Sequence, residues 1–204
     1  MMRRDHALEI LRQHVNEQIV VAVYQTLFDW MVIHPRDLNY VATGAMGQAS
    51  SHALGLALAN PERDVIVFDG DGSLLMNLGS LVTVANAAPA NLHHFVFENG
   101  VYEVNGAHPT PAAGQVDFAA MATAAGYRDS RVFDDLETFE TAVYFSFVTF
   151  TTLGYGDITL SESGRVLSGI QALNGILLVG WSTAVLFAVV QKLWQRDPSF
   201  KVSN

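Results

Sequence analysis

Asp71 and Asn99 are the two side chains whose type and surroundings best suit chemistry. Asp71 lies in the run Asp69-Gly70-Asp71-Gly72-Ser73, and Asn99 in Glu98-Asn99-Gly100. Each run follows a stretch with strand character: Asp64-Val65-Ile66-Val67-Phe68 before the first, His94-Phe95-Val96-Phe97 before the second. Both side chains are therefore expected at the carboxyl ends of strands. A carboxylate and a carboxamide are hard oxygen ligands, and Mg2+ takes such ligands in a near-octahedral shell completed by phosphates and water. Gly70 and Gly72 have no Cβ and let the backbone approach a diphosphate. Ser73 opens the next helix, where free N–H groups and the dipole favour an anion. Taken singly, either run is also what an ordinary tight turn looks like.

These residues need a scaffold, and the flanking sequence supplies one. Residues 64–68 carry no polar alternation, which suits a central parallel strand covered on both faces. A helix is predicted over Leu75 to Ala88, then the strand at residues 94–97, giving a βαβ unit whose ligands sit at the carboxyl ends of the strands. Upstream, residues 6–15 place Ala7, Leu8, Leu11 and Val15 on one side of a short amphipathic helix. Ile19 to Tyr24 is β-branched and short, a buried strand. Thr43-Gly44-Ala45-Met46-Gly47-Gln48 is a glycine loop that opens a small-residue helix, Ala49 to Leu58. The fold class expected for residues 1–140 is α/β, a Rossmann-like parallel sheet.

The combination is more specific than its parts. Gly70-Asp71-Gly72-Ser73, a spacer, and Asn99 resemble the thiamine diphosphate (ThDP) binding motif, and Gly44-Ala45-Met46-Gly47 resembles the GxMG turn of the same family. The runs GAMGQASSHALGLALA and DVIVFDGDGSLLMNLGSLVTVANAAPANLHHFVFENGVYEVNG are most similar to the beta subunits of sulfopyruvate and phosphonopyruvate decarboxylases. Acetolactate synthase is a more distant likeness. Glu98 stands where the family has the first asparagine of a pair, while Asn99 keeps the ligand position. The resemblance implies that Asp71, Asn99 and the Val101 carbonyl hold Mg2+, and that Gly72 and Ser73 meet the diphosphate alongside Gly70. It implies that Met46 bends the cofactor and that the Gly44 backbone binds its aminopyrimidine. Bound there, ThDP supplies the electron sink for decarboxylating a 2-oxo acid. It further implies a partner, a pyrimidine-binding (alpha) subunit that brings an activating glutamate, because nothing in residues 1–40 resembles that domain. His52, His93, His94 and His108 are candidate substrate contacts. His52 falls in a helix and His93 and His94 enter a strand, so His108, just after the ligand loop, is the candidate kept.

Composition sets limits and exposes a seam. The chain has no cysteine, which excludes disulfides, thiolate metal sites and a cysteine nucleophile. A net charge of −9 leaves no basic face for a nucleic-acid partner. Before Thr141 there are seven Lys and Arg against seventeen Asp and Glu, together with all seven histidines; from Thr141 on there are four against three. The basic N-terminus has no apolar stretch behind it and is not a signal peptide. Two unlike parts are expected: residues 1–140 for ThDP, residues 141–195 of another kind, and a polar tail over 196–204.

In the second part, Thr151-Thr152-Leu153-Gly154-Tyr155-Gly156-Asp157 resembles the selectivity filter of potassium channels, and Tyr144 to Phe150 resembles the pore helix before it. A filter needs successive carbonyls aimed at one axis, and Gly154 and Gly156 permit the alternating backbone this requires. K+ is the permeant ion this implies, with Thr152, Leu153, Gly154, Tyr155 and Gly156 as filter residues and a tetramer as the assembly. Val166 to Gln191 carries no formal charge. As a helix at ~1.5 Å per residue it would exceed the ~30 Å hydrocarbon core of a bilayer. Lys192, Arg196 and Lys201 follow it as a cytoplasmic flank would. An outer helix is not found: residues 116–140 hold eight charged side chains, each costing about 2.5–3.5 kcal/mol at a bilayer centre.

The leading expectation is the ThDP- and Mg2+-binding subunit of a 2-oxo acid decarboxylase, inactive alone, joined to an all-α channel-like membrane tail. The protein would be membrane-associated through its C-terminal helix, although the ThDP part by itself is cytoplasmic in kind. The alternatives are a potassium-channel pore subunit bearing a fused ThDP domain, and a non-functional junction of two truncated families meeting near residues 138–143.

Overall fold

The computed structural model describes residues 2–42, 44, 46–150 and 162–196, which form two compact units divided between Leu136 and Glu137. In the first unit, four short apolar segments pair as a parallel sheet: β1 (Ile19–Val23), β2 (Asn39–Ala42), β3 (Val65–Gly70) and β4 (Leu92–Phe97). Their order is β2-β1-β3-β4, with Val21 opposite Tyr40 and Val67 across one edge of the centre and Phe68 opposite Phe95 across the next. Parallel neighbours require crossovers, and helices supply them. The chain leaves β1 toward β2 on one side and returns to β3 on the other, so the direction of winding reverses between β1 and β3.

Each face of the sheet is covered. On one, α3 (Ala49–Ala59) lays Ala49, Ala53 and Ala57 against Val21, Val23, Val65 and Val67. Small side chains at this spacing let helix and sheet approach closely. On the other, α1 (Arg4–Arg12) and α2 (Tyr24–Ile33) bury Ala7, Leu8, Leu11, Leu27 and Trp30. The Trp30 indole meets Phe68 edge-on at 4.9 Å, donates to Asn39 Oδ1 at 2.9 Å, and Phe68 continues to Phe95 and Phe97. A β-strand with both faces buried needs no alternation, and β3 has none.

Several elements depart from the sequence reading, β2 and α2 among them. The Asp69-Gly70 pair is still strand, and a short helix α4 (Asp71–Leu75) begins at Asp71 without an intervening turn. The helix expected over 75–88 is broken. Met76 and Asn77 close tight turns onto Ser73 and Leu74, and α5 (Gly79–Ala87) starts afresh. The break follows from Asn77, whose side chain is spent on the Gly47 carbonyl at 3.0 Å. After β4 come a two-stranded ribbon, β5 (Val101–Tyr102) with β6 (His108–Pro109), a 3-10 turn at Glu103–Asn105 between them, and α6 (Phe118–Ala125).

The second unit contains α7 (Leu136–Phe150) and α8 (Glu162–Arg196). The helix α7 runs unbroken through residues 138–143, where the two sequence patterns meet. Within α8, Gly175–Lys192 has a mean hydropathy of 1.6, long and apolar enough to cross a membrane by length and composition. Leu173, Ile176, Leu177, Trp181, Leu186 and Phe187 are exposed along it. The filter residues Thr152, Leu153, Gly154, Tyr155 and Gly156 lie outside the described residues.

Candidate functional site

The winding reversal between β1 and β3 leaves a crevice at the carboxyl ends of the strands, which is where open α/β sheets hold their ligands. An open cleft occupies it, lined from β1 and α2 by Val23 to Thr26, from β3 and α4 by Gly70 to Ser73, and from beyond β4 by Asn99 and Val101. The sequence placed Asp71 and Asn99 at two separate strand ends, and here they face one space.

Asp71 is 2% exposed, and its carboxylate is held by two backbone N–H groups. Gly72 N donates to Oδ1 at 2.8 Å and Gly100 N to Oδ2 at 2.8 Å, tying the β3–α4 corner to the loop after β4. Among the described residues no Lys, Arg or His side chain forms an ion pair with it. A buried anion with no cationic partner is costly, and a bound cation removes the cost. Asn99 is exposed; Oδ1 accepts from Val101 N at 2.9 Å and Nδ2 donates to Glu103 Oε2 at 3.1 Å. Among the described residues no cluster of three or more His, Asp or Glu gathers, so a cation here draws on one carboxylate, one amide, a carbonyl and its ligand's own oxygens. That donor set fits Mg2+ bridged to a diphosphate.

The glycine loop is pinned beside this corner. Gly47 N donates to Ser73 Oγ at 3.0 Å, and Gly47 and Gly44 both adopt the left-handed backbone that favours glycine, with φ of 79° and 71°. A Cβ on Gly47 would come within 3.0 Å of the Met76 Cβ. Half-buried Met46 thereby reaches the cleft wall. At Gly72 a Cβ would meet the Tyr102 ring at 2.7 Å, so glycine is required there for the ribbon to fold over the corner. Gly70 has open space around the position a Cβ would take.

The histidines are dispersed. His108 is exposed on β6, opposite Tyr102, and does not line the cleft. The His52 ring meets Tyr40 edge-on at 5.7 Å in α3, and half-exposed His93 lies 3.6 Å from Asp64. His94 is buried behind the corner, its Nε2 3.4 Å from Asp69 Oδ2. Arg4, Tyr24, Gln25, Thr26 and Tyr102 are among the cleft residues that escaped the sequence reading. Tyr24 holds a φ of 48°, an unusual backbone for a tyrosine, where β1 passes straight into α2. For Arg4 a signal existed. It shares the face of Ala7, Leu8 and Leu11, so its charge had to find partners. Glu98 is exposed beside Asn99; local desolvation, then the charges of Asp71 and Asp117, hold its carboxyl above the usual range.

Comparison with known proteins places this geometry. Residues 23–147 match the model of the thiamine pyrophosphate enzyme C-terminal TPP binding domain, and residues 117–192 match an ion-channel model, so the two overlap across α6 and most of α7. The chain is 42% identical over 125 residues to phosphonopyruvate decarboxylase of Streptomyces hygroscopicus, spanning 61% of this chain and 31% of that one. It is 46% identical over 105 residues to sulfopyruvate decarboxylase subunit beta of Methanothermobacter thermautotrophicus, 52% of this chain and 55% of that one. The Methanococcus maripaludis subunit beta is 33% identical over 66% of this chain and 72% of its own length. The chain thus spans about a third of the first relative and about half of the second. Crystalline benzoylformate decarboxylase from Polynucleobacter necessarius shares the fold, with a TM-score of 0.57 at 24% identity over 70% of this chain and 30% of that one.

The Tyr127 hydroxyl is buried without a hydrogen-bond partner among the described residues, and burial, then the Asp69 charge, push it up to about 12 from 10.0. The sign follows: between these values the unfolded chain has lost a proton that the folded chain keeps, so stability falls as pH rises through that window. Tyr127→Phe is expected to be as stable as the parent at neutral pH, and more stable than it above pH 10. Urea denaturation of the detergent-solubilised chain at both pH values checks this. A loss of about 1 kcal/mol or more at neutral pH would mean the hydroxyl is hydrogen-bonded after all.

Proposed function

The chain belongs to the thiamine pyrophosphate enzyme family by its C-terminal TPP binding domain, and from that premise we propose that residues 1–140 bind ThDP through Mg2+. They would serve as the cofactor-binding half of a decarboxylase for sulfonated or phosphonated 2-oxo acids. The observation that carries this reading is Asp71, a buried carboxylate with no cationic side-chain partner among the described residues, at the switch point and lining one cleft with Asn99. Asp71 Oδ2, Asn99 Oδ1 and the Val101 carbonyl are the oxygens offered to the metal. The Gly70 and Gly72 backbone and the Ser73 hydroxyl line the space for the diphosphate. Ser73 accepts from Gly47 N, which leaves its own O–H to donate. Met46 also lines the cleft, and Gly44 belongs to the same loop, the one assigned to the cofactor ring. The bound cofactor supplies the electron sink for loss of carbon dioxide; the chain's residues anchor it, orient it and exclude water from its diphosphate end.

The two carboxylates lining the cleft among the described residues are already engaged. Asp71 is held by backbone N–H groups, and Glu103 by Arg4 and Asn99. Neither is free to act on a cofactor ring. A separate pyrimidine-binding subunit with its own glutamate completes the site in this reading, in keeping with relatives whose names specify a beta subunit.

For the second unit we propose a membrane anchor of channel ancestry, with Thr152 to Gly156 as filter residues, supported by the ion-channel match and by the apolar span of α8. The seam lies inside α7, near residues 138–143. The channel match begins at residue 117, so the place of an outer helix falls on residues 117–140, which hold eight charged side chains. Without that brace, four filters have nothing to hold them on one axis.

Two experiments test these assignments. With a pyrimidine-binding subunit supplied, calorimetry should detect ThDP binding only when Mg2+ is present, and Asp71→Ala should abolish it. Unchanged affinity in that variant removes the metal assignment, and turnover of a 2-oxo acid by the chain alone contradicts the need for a partner. For the tail, the protein should sediment with membranes, resist alkaline extraction and carry no current in a planar bilayer. A K+-selective current lost on Gly154→Ala would put the channel reading first.

A further inference from the structure

We infer that Arg4 is a positioning residue for the metal-binding loop: acting through Glu103, its guanidinium fixes which end of the Asn99 amide faces the cation. The inference rests on the ThDP–Mg2+ reading of the cleft. Arg4 opens α1 on the face that buries Ala7, Leu8 and Leu11, and its side chain is 20% exposed. It bridges two carboxylates from distant parts of the chain. Nε donates to Asp29 Oδ2 at 2.7 Å, Nη1 to Glu103 Oε2 at 2.9 Å, and Nη2 to Glu103 Oε1 at 3.5 Å. The same Glu103 Oε2 accepts from Asn99 Nδ2 at 3.1 Å. Arg4, Glu103, Asn99 and Asp71 all line the one cleft.

The chemistry of the relay is directional. A carboxylate can only accept, so Glu103 selects the NH2 end of the Asn99 amide and leaves Oδ1 for other work. Oδ1 takes the Val101 N–H with one lone pair and keeps the second for a cation. Glu103 can impose this choice only while it is itself held, and a planar guanidinium engaging both its oxygens holds it better than a point charge would. The Asp29 arm anchors the guanidinium to α2 and so ties the loop to the sheet's covering layer.

Positioning and plain electrostatics predict opposite signs. A fixed positive charge beside a cation site repels the cation, so removing Arg4 would tighten metal binding if charge were its whole effect. If Arg4 acts through Glu103, removing it frees the Asn99 amide to turn and weakens metal binding.

The test uses the full chain in detergent micelles, titrated calorimetrically with Mg2+ in saturating inorganic diphosphate. Arg4→Ala should weaken Mg2+ binding about three- to tenfold, the size of coupling that contacting residues show. Glu103→Ala should weaken it similarly, and Arg4→Ala in the Glu103→Ala background should add nothing. If Arg4→Ala does not fold, Arg4→Lys keeps the charge but not the fork and should shift affinity in the same direction. Unchanged or tighter Mg2+ binding in the Arg4 variants overturns the inference. So does a loss that persists in the Glu103→Ala background, which would make Arg4 a direct diphosphate contact. Asp71→Ala separates the two levels of failure. If it leaves Mg2+ affinity intact, the cleft is not the metal site and the reading beneath this inference falls. If it abolishes binding while the Arg4 variants do nothing, the positioning role alone falls.

Discussion

The buried Asp71 carboxylate, with no cationic side-chain partner among the described residues, is the constraint on which the cleft depends. Asp71 keeps its place because two glycine N–H groups, from Gly72 and Gly100, converge on it. Those donors come from the β3–α4 corner and from the loop after β4, so the carboxylate is what joins the two strand ends into one site. Gly72 must be glycine for the Tyr102 ring to lie over the corner, and the Gly47 loop is latched to the same corner through Ser73 and Asn77. These local restraints converge on one anion held at one point.

The sheet makes that convergence possible. Its order, β2-β1-β3-β4, reverses winding beside β3, and the reversal opens the crevice that Asp71 and Asn99 share. Trp30 and the chain of rings from Phe68 to Phe97 fill one face, and the alanines of α3 fit closely on the other. The rigidity this gives β3 is passed directly to Asp71, because α4 starts at that residue with no loop between.

Strands β1, β3 and β4 were legible because buried parallel strands are short β-branched or aromatic runs ended by glycine or polar residues. Edge strand β2 was not: it has four residues, and Tyr40 and Val41 on it are exposed. Helix α2 was hidden too, since no Gly or Pro separates it from β1 and the reversal is made by Tyr24 in a left-handed conformation. Asp71 and Asn99 stood out in the sequence because each follows a strand-like run; that they line one cleft is seen only in the fold. The Arg4–Glu103 pair was not legible, for its partners stand 99 residues apart and only the folded sheet brings them together. The break in α5 depended on Asn77 reaching the Gly47 carbonyl, another contact that sequence neighbours do not announce.

The second unit differs in what it exposes. Its long helix α8 exposes Trp181, Leu186 and Phe187, side chains that a bilayer accepts and water does not. The two family matches overlap over residues 117–147, and α7 runs as a single helix through residues 138–143. The cation proposed at Asp71 is the reading on which the rest depends. The most direct measurement is phosphorus hyperfine coupling to Mn2+ bound in place of Mg2+, recorded on the complete complex with ThDP. A clear coupling that disappears in Asp71→Asn, with the fold retained, is the predicted result. Coupling that persists unchanged in that variant would place the cation, and the diphosphate with it, somewhere other than this corner.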